Sequence, residues 1–211
     1  MVIAPHPDDE VLACGGLLAM IAARGGAVLI VSITDGDASH PGSTLWPPQR
    51  LALRRHTESV EGLRRLGLAM QQHVRLGVPD GKVDQYRASI GDSLGVLLAH
   101  GDVVCSTWQL DGHPDHDATG EIAGRVSAAI GCRHLQFPIW MWHWATPGDR
   151  RVPWQELRRL SLTADATRRK ELAINAHATQ LTHQDTGAPP VLTAATLERL
   201  LRPSEYYFLA D

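Results

Sequence analysis

From its second residue the chain alternates short apolar runs with longer stretches of helical periodicity: Val2 to Ala4, Val11 to Ala23, Val28 to Ile33, then Leu51 to Leu68. The alternation continues through a strand at Val74 to Leu76, a helix at Ser89 to His100, a strand at Val103 to Thr107, a helix at Ala118 to Ile130 and a strand at Leu135 to Pro138. A strand that feeds a helix and then another strand closes most readily as a right-handed parallel crossover, with helices covering both sheet faces. The pattern predicts a single Rossmann-like α/β domain over residues 1–211, with a mostly parallel sheet flanked by helices and strand order 3-2-1-4-5. The tail departs from this rhythm. Trp140 to Trp154 is rich in Trp and Pro, Thr163 to His177 reads as a helix, Gly187 to Pro190 as a turn and Glu205 to Leu209 as a last strand.

Composition removes several function classes. The 211 residues carry 20 basic and 23 acidic side chains, net -3, with no run of five or six like charges, so no footprint for nucleic acid or anionic lipid exists. The apolar run Leu17 to Ala23 is too short to span a bilayer, and Asp8, Asp9 and Glu10 precede it where a signal peptide carries positive charge. Cys14, Cys105 and Cys132 form no CxxC pair, which suits buried thiols in a reducing compartment. A cytoplasmic protein acting on a small molecule is the expectation, with no membrane span; oligomeric state is left open.

Two clusters carry the chemistry. The first strand ends in Pro5-His6-Pro7-Asp8-Asp9-Glu10, and the strand Val103 to Thr107 leads into Asp111-Gly112-His113-Pro114-Asp115-His116-Asp117. Both sit where a strand hands over to a helix. In an open parallel sheet the crevice at the strand carboxyl ends, where strand order reverses, is the ligand site, and order 3-2-1-4-5 makes these two strands neighbours there. His6, Asp9 and His116 then face one another as nitrogen and oxygen ligands suited to Zn²⁺, three of them with one open position, as a catalytic site requires. Bound zinc lowers the pKa of its water from about 15.7 to about 7. Asp8, beside a ligand but pointing elsewhere, is placed to act as general base. His113, as an imidazolium oriented by Asp115, is placed to stabilise an oxyanion. The reaction class is metal-assisted hydrolysis of an acyl bond. Helix capping alone accounts for Asp8, Asp9 and Asp115, but not for His6, His113 and His116 at matching strand ends.

At these motifs the sequence resembles the PIG-L, or LmbE-like, family of zinc-dependent N-acetyl deacetylases of N-acetylglucosaminyl compounds. Thr34-Asp35-Gly36, Arg55 to Glu58 with Leu66-Gly67, Val78-Pro79-Asp80-Gly81, and Lys170 with His177 and Gln180 are similar to weaker family positions. The resemblance implies His6, Asp9 and His116 as zinc ligands, Asp8 as base, His113 as electrostatic catalyst, and Arg55 and Asp80 as sugar contacts. It implies removal of an N-acetyl or related N-acyl group from an amino sugar or glycoconjugate. Without the family, Arg55 reads as an i, i+3 partner of Glu58 and Asp80 as a turn residue.

Trp140, Trp142 and Trp144 alternate, so on an extended segment their indoles share one face, and Trp142 is a candidate for stacking on a sugar. Two other readings use the same residues differently. A nucleotide-binding Rossmann-type module is suggested by Gly15-Gly16, although these fall inside the first helix and no GxGxxG follows the strand. A noncatalytic sugar-binding protein would use the tryptophans alone.

Overall fold

The computed structural model describes residues 1–68 and 73–210. Its sheet has seven strands: β1 (Val2–Ala4), β2 (Ile30–Thr34), β3 (His73–Val78), β4 (Val103–Thr107), β5 (Arg133–Phe137), β6 (Leu157–Ser161) and β7 (Ser204–Ala210), in the order 3-2-1-4-5-7-6. The first five pair in parallel, as the alternating pattern requires; β7 then joins β5 antiparallel and β6 closes the edge antiparallel to β7. Successive side chains of the central strands enter opposite cores, Val2 and Ile30 on one face, Ile3 and Val31 on the other. Both faces are apolar because helices cover both. The helices α1 (Asp9–Ala22), α2 (Pro48–Leu66), α3 (Arg87–Leu97) and α4 (Pro114–Ile130) are the expected crossovers.

Helix α4 begins four residues before Ala118, the expected start. Pro114 occupies its first turn, where a fixed φ is already helical and the missing N–H costs nothing, and His113 is the N-cap. His116 therefore projects from a helix. In the tail, the segment expected to be extended is one helical turn, α5 (Met141–Trp144); the helix read over Thr163 to His177 is α6 (Ala164–Ile174), and α7 (Ala178–Leu181) and α8 (Ala194–Leu200) follow it.

The tail is locked to α1 by a buried carboxylate. Glu205 on β7 accepts hydrogen bonds from Gly16 N (2.7 Å) and Leu17 N (2.9 Å) and pairs with Lys170 Nζ (2.8 Å) on α6. A Cβ on Gly16 would meet Leu162 at 2.4 Å, and one on Gly15 would meet the Lys170 side chain at 3.0 Å. These glycines thus serve close packing inside a helix, and the feature that suggested a phosphate loop has a structural explanation. Among the described residues, no helix is long and apolar enough to cross a membrane.

Candidate metal centre and active site

Pairing of β1 with β4, Ile3 opposite Ser106, brings the ends of both strands together. Asp9 Oδ2 lies 3.3 Å from His6 Nδ1 and 3.4 Å from His116 Nε2, and the three donor atoms fall within 4.8 Å of one another. Two ligands about 2.0–2.1 Å from a tetrahedral zinc stand about 3.3 Å apart, so the spacing fits that ion. His116 Nε2 is buried with no hydrogen-bond partner among the described residues, an arrangement that costs about 1–3 kcal/mol unless a ligand fills it. Its Nδ1 is bonded to Asp111 Oδ2 at 2.7 Å, the carboxylate–histidine arrangement that fixes a metal-binding imidazole. These residues fit a divalent cation.

The other nitrogen of His6 faces carboxylates as well: Asp80 Oδ1 at 3.2 Å and Asp115 Oδ2 at 3.3 Å. Burial opposes a charge on His6, but Asp115, Asp80 and Asp9 together hold its pKa well above the ordinary range. A cation held by Nδ1 takes over the charge that a proton otherwise supplies. Burial works against the Asp80 carboxylate too, yet His6 brings its pKa down to about 2. Asp80 and Asp115 thus stand behind His6 as Asp111 stands behind His116. They also form with His6 a second group of possible ligands, although Asp115 is already engaged by Gly81 N (2.8 Å) and Val83 N (3.1 Å).

This placement corrects the expectation for Asp115. Its carboxylate does not orient His113; it turns to His6 and the loop after β3. What holds His113 is the backbone N–H of Asp115, donated to His113 Nδ1 at 3.2 Å. An accepting Nδ1 puts the ring proton on Nε2. Burial, with His116 and His6 nearby, lowers the His113 pKa to about 4, which favours the neutral ring over an imidazolium.

Asp8 has φ 149° and ψ -25°, a strained backbone for a residue with a side chain. Two groups grip it. Glu10 Oε2 accepts the Asp8 N–H at 3.0 Å while its Oε1 accepts Ser59 Oγ–H at 3.0 Å. Arg55, buried on α2, reaches Asp8 Oδ2 at 3.1 Å and donates to Pro7 O and Gly36 O. Gly36 is required there, since it has φ 63° and a Cβ would stand 2.0 Å from Arg55 Nη1. Arg55 therefore does not pair with Glu58, which instead takes Arg54 at 2.9 Å and the Thr179 hydroxyl at 2.6 Å. Burial raises the Asp8 pKa to about 6 despite Arg55.

A cleft of about 590 Å³ opens over these groups, lined by His6, Asp8, Arg55, Asp80, His113 and His116, together with apolar (Leu12, Ile139, Val191, Leu192) and polar (Ser39, Gln180, Thr193, Thr196) side chains. Trp140 and His143 line it as well, but Trp142 does not. The turn of α5 rotates Trp142 away, against Tyr206 at 5.3 Å and under Arg202. Lys170 and His177 are buried outside the cleft, and Asp35 pairs with Arg75. Two residues of the site were given no role from sequence, Asp111 and Glu10. Both lie within the acidic-histidine motifs, so the signal was present but did not distinguish ligands from the carboxylates that hold them.

Residues 1–127 match the family model of PIG-L, described as GlcNAc-PI de-N-acetylase, and the chain belongs to that family. No curated protein matches the sequence. Among solved structures, N,N'-diacetylchitobiose deacetylase from Pyrococcus horikoshii, complexed with its inhibitor MPG, shares the fold at TM-score 0.74 and 20% identity, over 99% of this chain and 82% of that one. The A40926 pseudoaglycone deacetylase Dbv21 is similar at TM-score 0.75 and 24% identity, over 99% and 95%. The zinc inhibited form of teicoplanin deacetylase Orf2 is similar at TM-score 0.71 and 17% identity, over 100% and 98%.

Proposed function

We propose that this chain is a single-domain, zinc-dependent hydrolase that removes an N-acetyl or related N-acyl group from an amino sugar or glycoconjugate. The observation that carries the reading is the convergence of His6 Nδ1, Asp9 Oδ2 and the unpartnered His116 Nε2 at zinc-like spacing beside a strained Asp8. Family membership and deacetylase neighbours of the same fold support it.

His6, Asp9 and His116 would hold the ion. When bound it supplies Lewis acidity, polarising the acyl oxygen and lowering the pKa of water. Asp8 takes the proton from the attacking water and returns it to the departing amine; its raised pKa suits both transfers. His113 donates its Nε2–H to the oxygen that gains charge at the carbonyl, a role a neutral imidazole fills. Arg55 fixes the base through the Asp8 carboxylate and Pro7 O. Arg55 and Asp80 line the cleft where sugar hydroxyls would lie.

A cleft of about 590 Å³ lies in the range of pockets for molecules larger than one sugar. With Leu12, Ile139, Val191 and Leu192 lining it beside the acidic and histidine groups, it favours an amino sugar attached to a less polar body. The test is acetate release from a panel of N-acetylated sugars and glycoconjugates by metal-loaded protein. One zinc per chain is expected. Asp8→Ala should retain that zinc and lose about 10²–10⁴-fold in kcat; turnover retained in this variant would reject Asp8 as the base.

A further inference from the structure

Among the described residues lining the cleft, Trp140 is the one large exposed aromatic side chain. Trp140 is 44% exposed, yet its ring centroid lies 5.4 Å from that of His113 and 5.6 Å from that of His143. His113 lies in turn 4.8 Å from His116 and 5.1 Å from His6. An exposed indole two rings from the proposed ligands needs a reason. The backbone beneath it is held without slack: Asp111, itself fully buried, accepts Ile139 N and Met141 N on Oδ1, and Trp140 N and His116 Nδ1 on Oδ2, all at 2.7–2.9 Å. One carboxylate oxygen thus sets the indole's backbone and the imidazole's orientation together.

From this geometry we infer that Trp140 is the platform on which the pyranose ring of the substrate stacks, and that Asp111 is the positioning residue that registers the platform to the reacting centre. The inference rests on the proposed deacylation of an amino sugar. A pyranose face presents C–H groups made slightly positive by neighbouring oxygens, and the face of an indole is the negative pole of its quadrupole. Stacking there holds the sugar by its apolar side and leaves its hydroxyls to Asp80 and Arg55 across the cleft. Of Trp140 and Trp142, expected from sequence to share one face, Trp140 lines the cleft while the helical turn of α5 carries Trp142 away from it.

The test uses zinc-loaded full-length protein with N-acetylglucosamine and its methyl and phenyl glycosides as substrates, and glucosamine as an unreactive ligand. Trp140→Ala should raise KM roughly tenfold, a stacking contribution of ordinary size, with kcat within about twofold of wild type and zinc content unchanged. Trp140→Phe should recover most of the affinity, and the change in tryptophan emission on adding glucosamine should vanish in it. An unchanged KM in Trp140→Ala, or a loss confined to kcat, overturns the platform while leaving the hydrolase reading intact. If wild-type protein neither hydrolyses nor binds any of these sugars, the proposed function fails and the platform with it. Because Trp140 is half exposed, the variant should fold; should it not, Trp140→Phe and the emission change decide alone.

Discussion

The site concentrates its strain in one residue. Asp8 sits at a positive φ that costs of order 1–3 kcal/mol, and its N–H is met by a carboxylate two residues on. Glu10→Ala leaves that buried N–H without its acceptor, at about 1–3 kcal/mol, and releases the peptide that aims Asp8. The expected result is lower stability with kcat reduced and KM nearly unchanged. Glu10→Gln keeps a carbonyl oxygen for the same N–H and should restore most of the loss, as urea unfolding and steady-state kinetics would register. At His116 the equivalent support is Asp111. Asp111→Asn, which weakens the charge-assisted bond to Nδ1, should lower zinc affinity by about 10–100-fold, measurable by competition with a chelator.

Between elements, the decisive contact is α4 against the end of β4. A Cβ at Gly120 would stand 2.6 Å from Thr107 O and 2.7 Å from Gln109 N, both backbone atoms that cannot move aside. Gly120→Ala should therefore destabilise the protein by about 1–3 kcal/mol and weaken zinc binding, because the helix that must shift carries His116. Gly95 on α3 is the control: a Cβ there meets nothing within 4 Å, so Gly95→Ala should stabilise by about 0.5–1 kcal/mol. Thermal unfolding of the two variants would separate close packing from helix propensity. At this scale the limits of sequence reading are also physical. The inner strands β1 and β2 show themselves as apolar runs because both of their faces are buried. In contrast β6, Leu-Arg-Arg-Leu-Ser, is an edge strand whose burial is partial, and its charged side chains suit an edge while erasing the apolar signal. The convergence of His6, Asp9 and His116, the trio proposed to hold the metal, was legible because its spacing is local to two motifs. The partner of Asp115 was not, since it is set by a loop some thirty residues upstream.

Across the whole molecule, pH acts through histidines that do not line the cleft as well as through the site. His134 on β5 is buried, bonded through Nε2 to Ser106 Oγ at 2.8 Å, and burial lowers its pKa from 6.5 to about 4. A histidine depressed in the folded state leaves stability intact above its unfolded pKa. Between 6.5 and 4 the unfolded chain takes up a proton that the folded one refuses, so stability falls as pH falls, by at most about 1.4 kcal/mol per unit. Between pH 7.5 and 5.5 this one group should cost about 1 kcal/mol. His73, lowered to about 4 by burial, with His56 and Arg75 contributing, acts in the same direction. His134→Gln removes the titration but not the polar side chain, so its unfolding free energy in urea should drop less over that interval than the wild type's. Equal drops in the two proteins would mean that the acid sensitivity of the fold lies elsewhere, with the carboxylates and imidazoles at the strand ends as its source, and added zinc should then suppress it.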